Sequence, residues 1–505
     1  MQTPNIVIIA CYLAGMLAFG WWGRRRTAGT SDYLVAGRRL GPLLYTGTMS
    51  AVVLGGASTV GGVGLGYEYG ISGLWLVTAI GVGVLVLSLL FAPSLQRLKI
   101  YTVSQMLTLR YGSEATRASS VVMLAYTLML AATSTGAYAS VFVVLFGWDR
   151  WLSIVVGGGI VLAYAVIGGM WSITLADMAQ FLIMTVGLFG LMLPVSLSQA
   201  GGWSGLTSRL DAEFFDLSGM GLQSIITYFV IYTLGLLIGQ DIWQRVFTAR
   251  SPQVARWGGT AAGIYCILYG VAGAVIGMTA AVLLPGIEVR DDVFATVALE
   301  ILPLGIGGVA LAAAVAAMMS TASGALIAAA TVARADVVPL VRDLLRRRRP
   351  GRPDAGPSRD FEEDVDTNRW WVLGLGLFVL VLAIAVPDVV AALTIAYDIL
   401  VGGLLVAILG GLVWSRGTGP GAAWSMAAGT IGTLTTMVVL EVRGTEPFAG
   451  VYANGPIYVG LAASAVVYVA VSLLTRPTAP SVLAAWRRRR TEGAAEEFRP
   501  GAHVS

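Results

Sequence analysis

One histidine, two cysteines and a charged fraction of 12% are what this 505-residue chain has least of, and each scarcity removes a class of function. Charged residues make up about 25% of ordinary soluble domains. A chain that is 56% hydrophobic, with a mean hydropathy of +0.78, therefore has too little charge to be one. The single histidine, His503, lies in the C-terminal tail. Zinc, haem or triad chemistry built on histidine inside the apolar segments is thereby excluded. Cys11 and Cys266 each stand alone in apolar sequence, which points to neither a disulfide framework nor a cysteine metal site.

Apolar sequence is what the chain has in excess. A crossing needs roughly 20 apolar residues, and thirteen runs of that kind begin near residues 5, 43, 71, 118, 151, 174, 222, 259, 304, 370, 389, 420 and 456. They leave no room for a separate catalytic domain, and the chain is not expected to be an enzyme. No positive residue precedes the first run, and Arg24, Arg25 and Arg26 follow it, the reverse of a signal peptide. It is expected to stay as a helix with its N-terminus outside. Alternation then puts 28 of the 32 Lys and Arg on inward connections, leaving Arg150, Arg209, Arg290 and Arg443 outside, as the positive-inside rule requires. The net charge of +4 thus reflects topology and a lipid bilayer partner, with no nucleic acid. The expectation is a multi-pass protein of the cell's inner (plasma) membrane with a cytoplasmic C-terminus. Arg346 to Arg349 and the Pro/Asp/Glu-rich stretch to Asp366 read as a disordered cytoplasmic loop, and Arg487 to Arg490 as the start of a similar tail.

Most of the 64 glycines sit inside apolar segments, where they permit close helix contact or local unwinding. Two clusters stand out. The second run carries Leu54-Gly55-Gly56-Ala57-Ser58-Thr59, and the seventh carries Gly235, Gly239, Gln240 and Asp241. Glycine-interrupted segments in corresponding positions of two halves point to a transporter's midplane site. Unwinding around Gly55 to Ser58 would strip the carbonyls of Ala51 and Leu54 of their amide partners, which is costly in hydrocarbon. Na⁺, a hard cation that takes oxygen ligands, would satisfy them. In the ninth run, Ala317, Ser320 and Thr321 share a helix face, which would present one carbonyl and two hydroxyls to the same ion. The competing reading is a packing face whose hydroxyls bond back to the preceding turn.

Several stretches resemble the sodium/solute symporters: Asp32-Tyr33-Leu34-Val35-Ala36-Gly37-Arg38; Tyr101-Thr102-Val103 with Arg110-Tyr111-Gly112; Tyr164 through Gly168-Gly169-Met170 to Asp177 and Gln180; Gly239-Gln240 with Gln244-Arg245; and Ala317-x-x-Ser320-Thr321 followed by Asp336. The resemblance runs from the first span to about residue 475. It implies an all-α polytopic membrane protein of about 13 transmembrane helices with a LeuT-type 5+5 inverted-repeat core and broken helices. The implied layout is an extra helix and link over 1–41, a first repeat over 42–200, an outward loop over 201–221 and a second repeat over 222–415 that contains the cytoplasmic loop 334–369. Two added helices over 416–476 and a tail over 477–505 complete it.

By the same resemblance the activity is sodium-coupled symport of a small organic solute by alternating access, with Na⁺ as coupling ion and no other cofactor. Ala51, Leu54, Ala317, Ser320 and Thr321 would hold sodium, and Asp177 would lie on its exit path. Departures bear on the solute. Val53 stands where proline symporters carry an acid, and Ser58, Val77 and Gly235 stand at the sugar-contacting positions of the galactose symporter, so amino acids or short carboxylates are favoured over sugars. The expected cavity lining is Gly56, Ser58, Thr59, Thr233, Leu237, Asp241 and Asp398. An ionisable group such as Asp398, ten residues into a span, points to function by default, either meeting an ammonium group or taking a proton. Asp241 is expected to cap a half-helix and pair with Arg245 at i, i+4. The alternatives are a proton-coupled symporter of the same fold and a solute sensor that does not transport.

Overall fold

A straight helix through Arg150–Gln199 would be about 75 Å long at 1.5 Å per residue, against a hydrocarbon core of roughly 30 Å. Gly169 breaks it, with φ 56° and ψ −140°. A Cβ there would also come within 2.5 Å of the Tyr33 carbonyl oxygen, so the residue is glycine for conformation and for space. The computed structural model describes residues 3–347, 365–385, 389–445 and 448–494. The acidic part of the loop expected over 334–369, His503 and the end of the tail lie outside them.

Among the described residues, ten helical stretches are long and apolar enough to cross a membrane, and a bent pair, Leu222–Leu236 with Gln240–Thr248, makes eleven. Dividing Arg150–Gln199 at Gly169, and Ala57–Arg97 at Gly70 with its φ of 60°, gives thirteen crossings among the described residues. These are α1 (Thr3–Arg24), α2 (Pro42–Val53 and 57–69), α3 (75–97), α4 (Ser113–Phe146), α5 (150–168) and α6 (170–199). Next come α7 (Leu222–Leu236 and Gln240–Thr248), α8 (Pro252–Leu283), α9 (Ile306–Val332, continuing to Arg347) and α10 (Val365–Ala385). The last are α11 (Val389–Val413), α12 (Gly419–Arg443) and α13 (Gly455–Leu474). Pro480–Thr491 forms a further helix, α14, beyond the spans. A helix thus stands where the sequence suggested a disordered tail.

The spanning part of α9 is buried throughout, in keeping with a composition that has no charged face for solvent: a helix that is apolar nearly all round belongs inside. It packs against α4 and against α5 and α6, while α8 packs against α3 and the second half of α2. Without a hydrophobic drive between helices in lipid, close backbone approach does this work. At the α2/α8 crossing a Cβ on Gly277 would sit 2.2 Å from the Val63 carbonyl oxygen, and one on Gly66 would sit 2.4 Å from that of Ala274. Gly277→Ala is expected to force these helices apart and destabilise the protein by about 1–3 kcal/mol. Thermal melting of the purified protein followed by tryptophan fluorescence measures this, and an unchanged melting temperature would contradict the packing argument.

Candidate functional site

Both glycine clusters are breaks. The first half of α2 ends at Leu54 (φ −90°, ψ 73°), whose amide donates to Ser50 O at 3.3 Å, and the next backbone bond past the break is Thr59 N to Gly55 O at 3.0 Å. The carbonyls of Ala51 to Leu54 therefore face the break. Gly55, Gly56 and Ala57 are only half-buried although they lie among buried helices. A Cβ on Gly56 would be 3.2 Å from Ala137 and Met318, and one on Gly55 would be 2.8 Å from Thr321 Oγ1. In α7 the break falls at 237–239, where Gly239 is extended (φ −61°, ψ 130°). The Trp243 indole donates to the Leu237 carbonyl at 2.8 Å, so one exposed acceptor is already satisfied within the chain.

Of the α9 residues singled out in the sequence, Thr321 meets the α2 break and Ser320 meets Asp177 beside it. Thr321 Oγ1 donates to Val52 O at 2.9 Å and to Ala317 O at 3.3 Å. Ser320 Oγ donates to Asp177 Oδ1 at 2.7 Å. Asp177 lies inside α6 and is buried. Its other oxygen accepts from Thr48 of α2 and lies 2.9 Å from Arg245 Nη2 of α7, with both charged side chains fully buried. Arg245 also faces the Met170 sulfur, and Gly324 makes room for the guanidinium, since a Cβ there would lie 3.2 Å from Nη2. One carboxylate thus joins α2, α6, α7 and α9. Nothing in sequence spacing signals that Thr48 and Arg245 belong to this group.

The expected pairing of Asp241 with Arg245 does not occur. Arg245 turns to Asp177, and Asp241 Oδ1 instead accepts from the Tyr126 hydroxyl at 3.3 Å. Helix spacing permitted the i, i+4 contact, but a buried guanidinium went to the carboxylate on the facing helix. Asp241 is the acidic residue in the first turn of the second half of α7, where the helix dipole favours negative charge. Of the other expected lining residues, Thr59 bonds to Tyr269 at 3.1 Å and Thr233 donates to Ala79 O at 2.6 Å. Ser58 and Leu237 are buried. Asp398 is 1% exposed, and its Oδ1 has no hydrogen-bond partner. Beside it the Tyr397 ring covers Gly235 and meets Tyr126 and Tyr232 edge-on, with centroids 5.6 Å away in each case. Sequence reasoning missed these three tyrosines, because tyrosines in apolar helices carry no spacing that marks them.

On the side rich in basic residues the remaining motifs lock together. Gln240 accepts from Val103 N at 2.8 Å and donates to Tyr101 O at 3.0 Å. Gln244 donates to Leu34 O and Thr331 Oγ1, and Arg38 to Ile100 O and Phe247 O. Leu40 and Ala249 form a short parallel bridge. These stretches meet around the second half of α7, while Arg110 of the same motif group donates to the carbonyls of Trp414, Ser415 and Gly417.

Two discontinuous helices inside a buried helical core mark the class: a LeuT-type transporter fold. The structure aligns with that of a Na⁺-coupled sialic acid symporter in a substrate-bound outward-open state at a TM-score of 0.79 and 17% identity, covering 94% of this chain and 98% of that one. It also aligns with MhsT in complex with L-phenylalanine at a TM-score of 0.53 and 12% identity, covering 86% and 98%. The Sodium:solute symporter family matches residues 33–429, and the chain belongs to it. Among relatives, it is 27% identical to the osmoregulated proline transporter OpuE of Bacillus subtilis (strain 168), over 94% of this chain and 96% of that protein. It is 24% identical to the sodium/proline symporter of Staphylococcus aureus (strain JH9), over 66% and 68%.

Proposed function

We propose that this protein is a sodium-coupled symporter that imports a small organic solute, an amino acid or short carboxylate, by alternating access. The observation that carries the reading is the meeting of the α2 break with Thr321 of α9, beside the Ser320 hydroxyl that bonds to Asp177. Carbonyls at a helix break, next to buried hydroxyls of a largely apolar helix, are the hard oxygen donors a small cation requires. Ala51, Leu54 and Ala317 would contribute carbonyls and Ser320 and Thr321 hydroxyls. Asp177, one hydrogen bond behind Ser320 and toward the basic face, would receive the ion on its way out. The solute would sit between the two breaks, against Gly56, Ser58, Thr59, Thr233, Leu237 and Asp241, with Asp398 at the α11 wall. The basic face is the cytoplasmic one in this reading, with the N-terminus outside. Residues 42–200 and 222–415 would be the two inverted repeats.

Proline is the first solute to test, because both proteins named above as relatives are proline transporters. Purified protein in proteoliposomes should accumulate labelled proline, or another member of an amino-acid and carboxylate panel, under an inward sodium gradient at constant pH. A second reading, proton coupling, is favoured by the buried, unbonded oxygen of Asp398. Uptake that ignores sodium and is restored by a pH gradient would establish that reading and sink the first. A sensor would bind solute yet show no counterflow.

A further inference from the structure

Helix α14 lies outside the spans, yet one of its faces is committed to them. Val482, Leu483, Trp486, Arg489 and Arg490 are its less exposed residues and recur at helical spacing. Trp486 is buried, with the Arg490 guanidinium over its ring at 5.5 Å. Arg487 and Arg488 point away and are exposed. Arg489 Nε donates to Leu98 O at 2.9 Å, and Ala494 N, just past the helix, donates to Arg97 O at 3.1 Å. Arg490 Nη1 donates to Leu412 O at 2.7 Å. These acceptors lie at the C-terminal ends of α3 and α11, where the last carbonyls have no intrahelical partner and the dipole favours a cation.

The two anchors sit in largely different packing groups. α3 packs mainly on α8, which holds both halves of α2, whereas α11 packs mainly on α4, α12 and α13, and the two share only the first half of α7 as a neighbour. The Leu98 anchor also adjoins the segment that Arg38 grips at Ile100 and Gln240 at Tyr101. A short path of bonds therefore runs from α14 to the second half of α7. We propose that α14 is a strap that holds the basic-side gate shut by tying these two groups together, so that opening this face requires its release.

The test uses the full-length protein in nanodiscs and needs no assumption about the solute or the coupling ion. In Arg489→Gln/Arg490→Gln, amide hydrogen exchange at 98–105 and 240–250 is expected to speed up about tenfold, because local opening no longer breaks the charge-assisted bonds. Arg489→Lys/Arg490→Lys, which retains donors and charge, should stay near the wild-type rate. Faster exchange confined to 480–494, or equal acceleration in the Gln and Lys variants, would reduce α14 to a passive appendage and overturn the proposal.

Discussion

Asp177→Asn is expected to be the most damaging single substitution at the candidate site, destabilising the protein by about 3–5 kcal/mol. The ion pair with Arg245 is 2.9 Å long between side chains that are 0% exposed. Removing the carboxylate leaves a guanidinium inside the bundle, and a guanidinium does not give up its proton. Arg245→Met is expected to cost less, since the orphaned carboxyl can take a proton and keeps the Thr48 and Ser320 hydroxyls as donors. The double variant Asp177→Asn/Arg245→Met should recover most of the loss of the first, because with both charges gone no uncompensated charge stays buried. Thermal melting of the three variants reads this order. Equal losses in both single variants, or an additive double, would mean that the pair is not energetically coupled.

The second large effect is on sodium. Ser320→Ala with Thr321→Ala should raise the sodium concentration for half-maximal uptake at least tenfold, a loss of about 1.4 kcal/mol. Each hydroxyl also has a partner in the protein, Asp177 for Ser320 and the Val52 carbonyl for Thr321, so some loss of stability will accompany the change. Thr321→Ser, which keeps the hydroxyl, separates the two effects by preserving sodium dependence. A double variant that melts lower but transports with unaltered sodium dependence would assign these hydroxyls to helix packing alone.

Much of this architecture is legible in the chain itself because the bilayer is a severe solvent. Apolar runs of spanning length have few structural choices when every backbone polar group must be satisfied internally, and glycine is the residue that lets such a helix stop and restart. The breaks at Leu54–Gly55 and at Leu237–Gly239 fall where the glycine clusters stand, and Gly169 separates α5 from α6 where a connection was expected. The α14 helix was not legible: four consecutive arginines read as a solvated tail, and only docking on the ends of α3 and α11 gives two of them acceptors.

Local rules and tertiary structure divide the determination of this protein in a physically sensible way. Length, hydropathy and glycine placement act within a few residues along the chain, so the amino-acid sequence by itself set the class, the spans, the helix breaks and the oxygen-bearing face of α9. Partner choice among buried polar groups belongs to the tertiary structure. Arg245 could reach Asp241 on its own helix by spacing, but the packing of α6 and α9 against α7 put Asp177 within 2.9 Å and Tyr126 against Asp241 instead. A buried charge takes the best counter-charge that the surrounding helices bring to it, and that choice is made only when the helices pack.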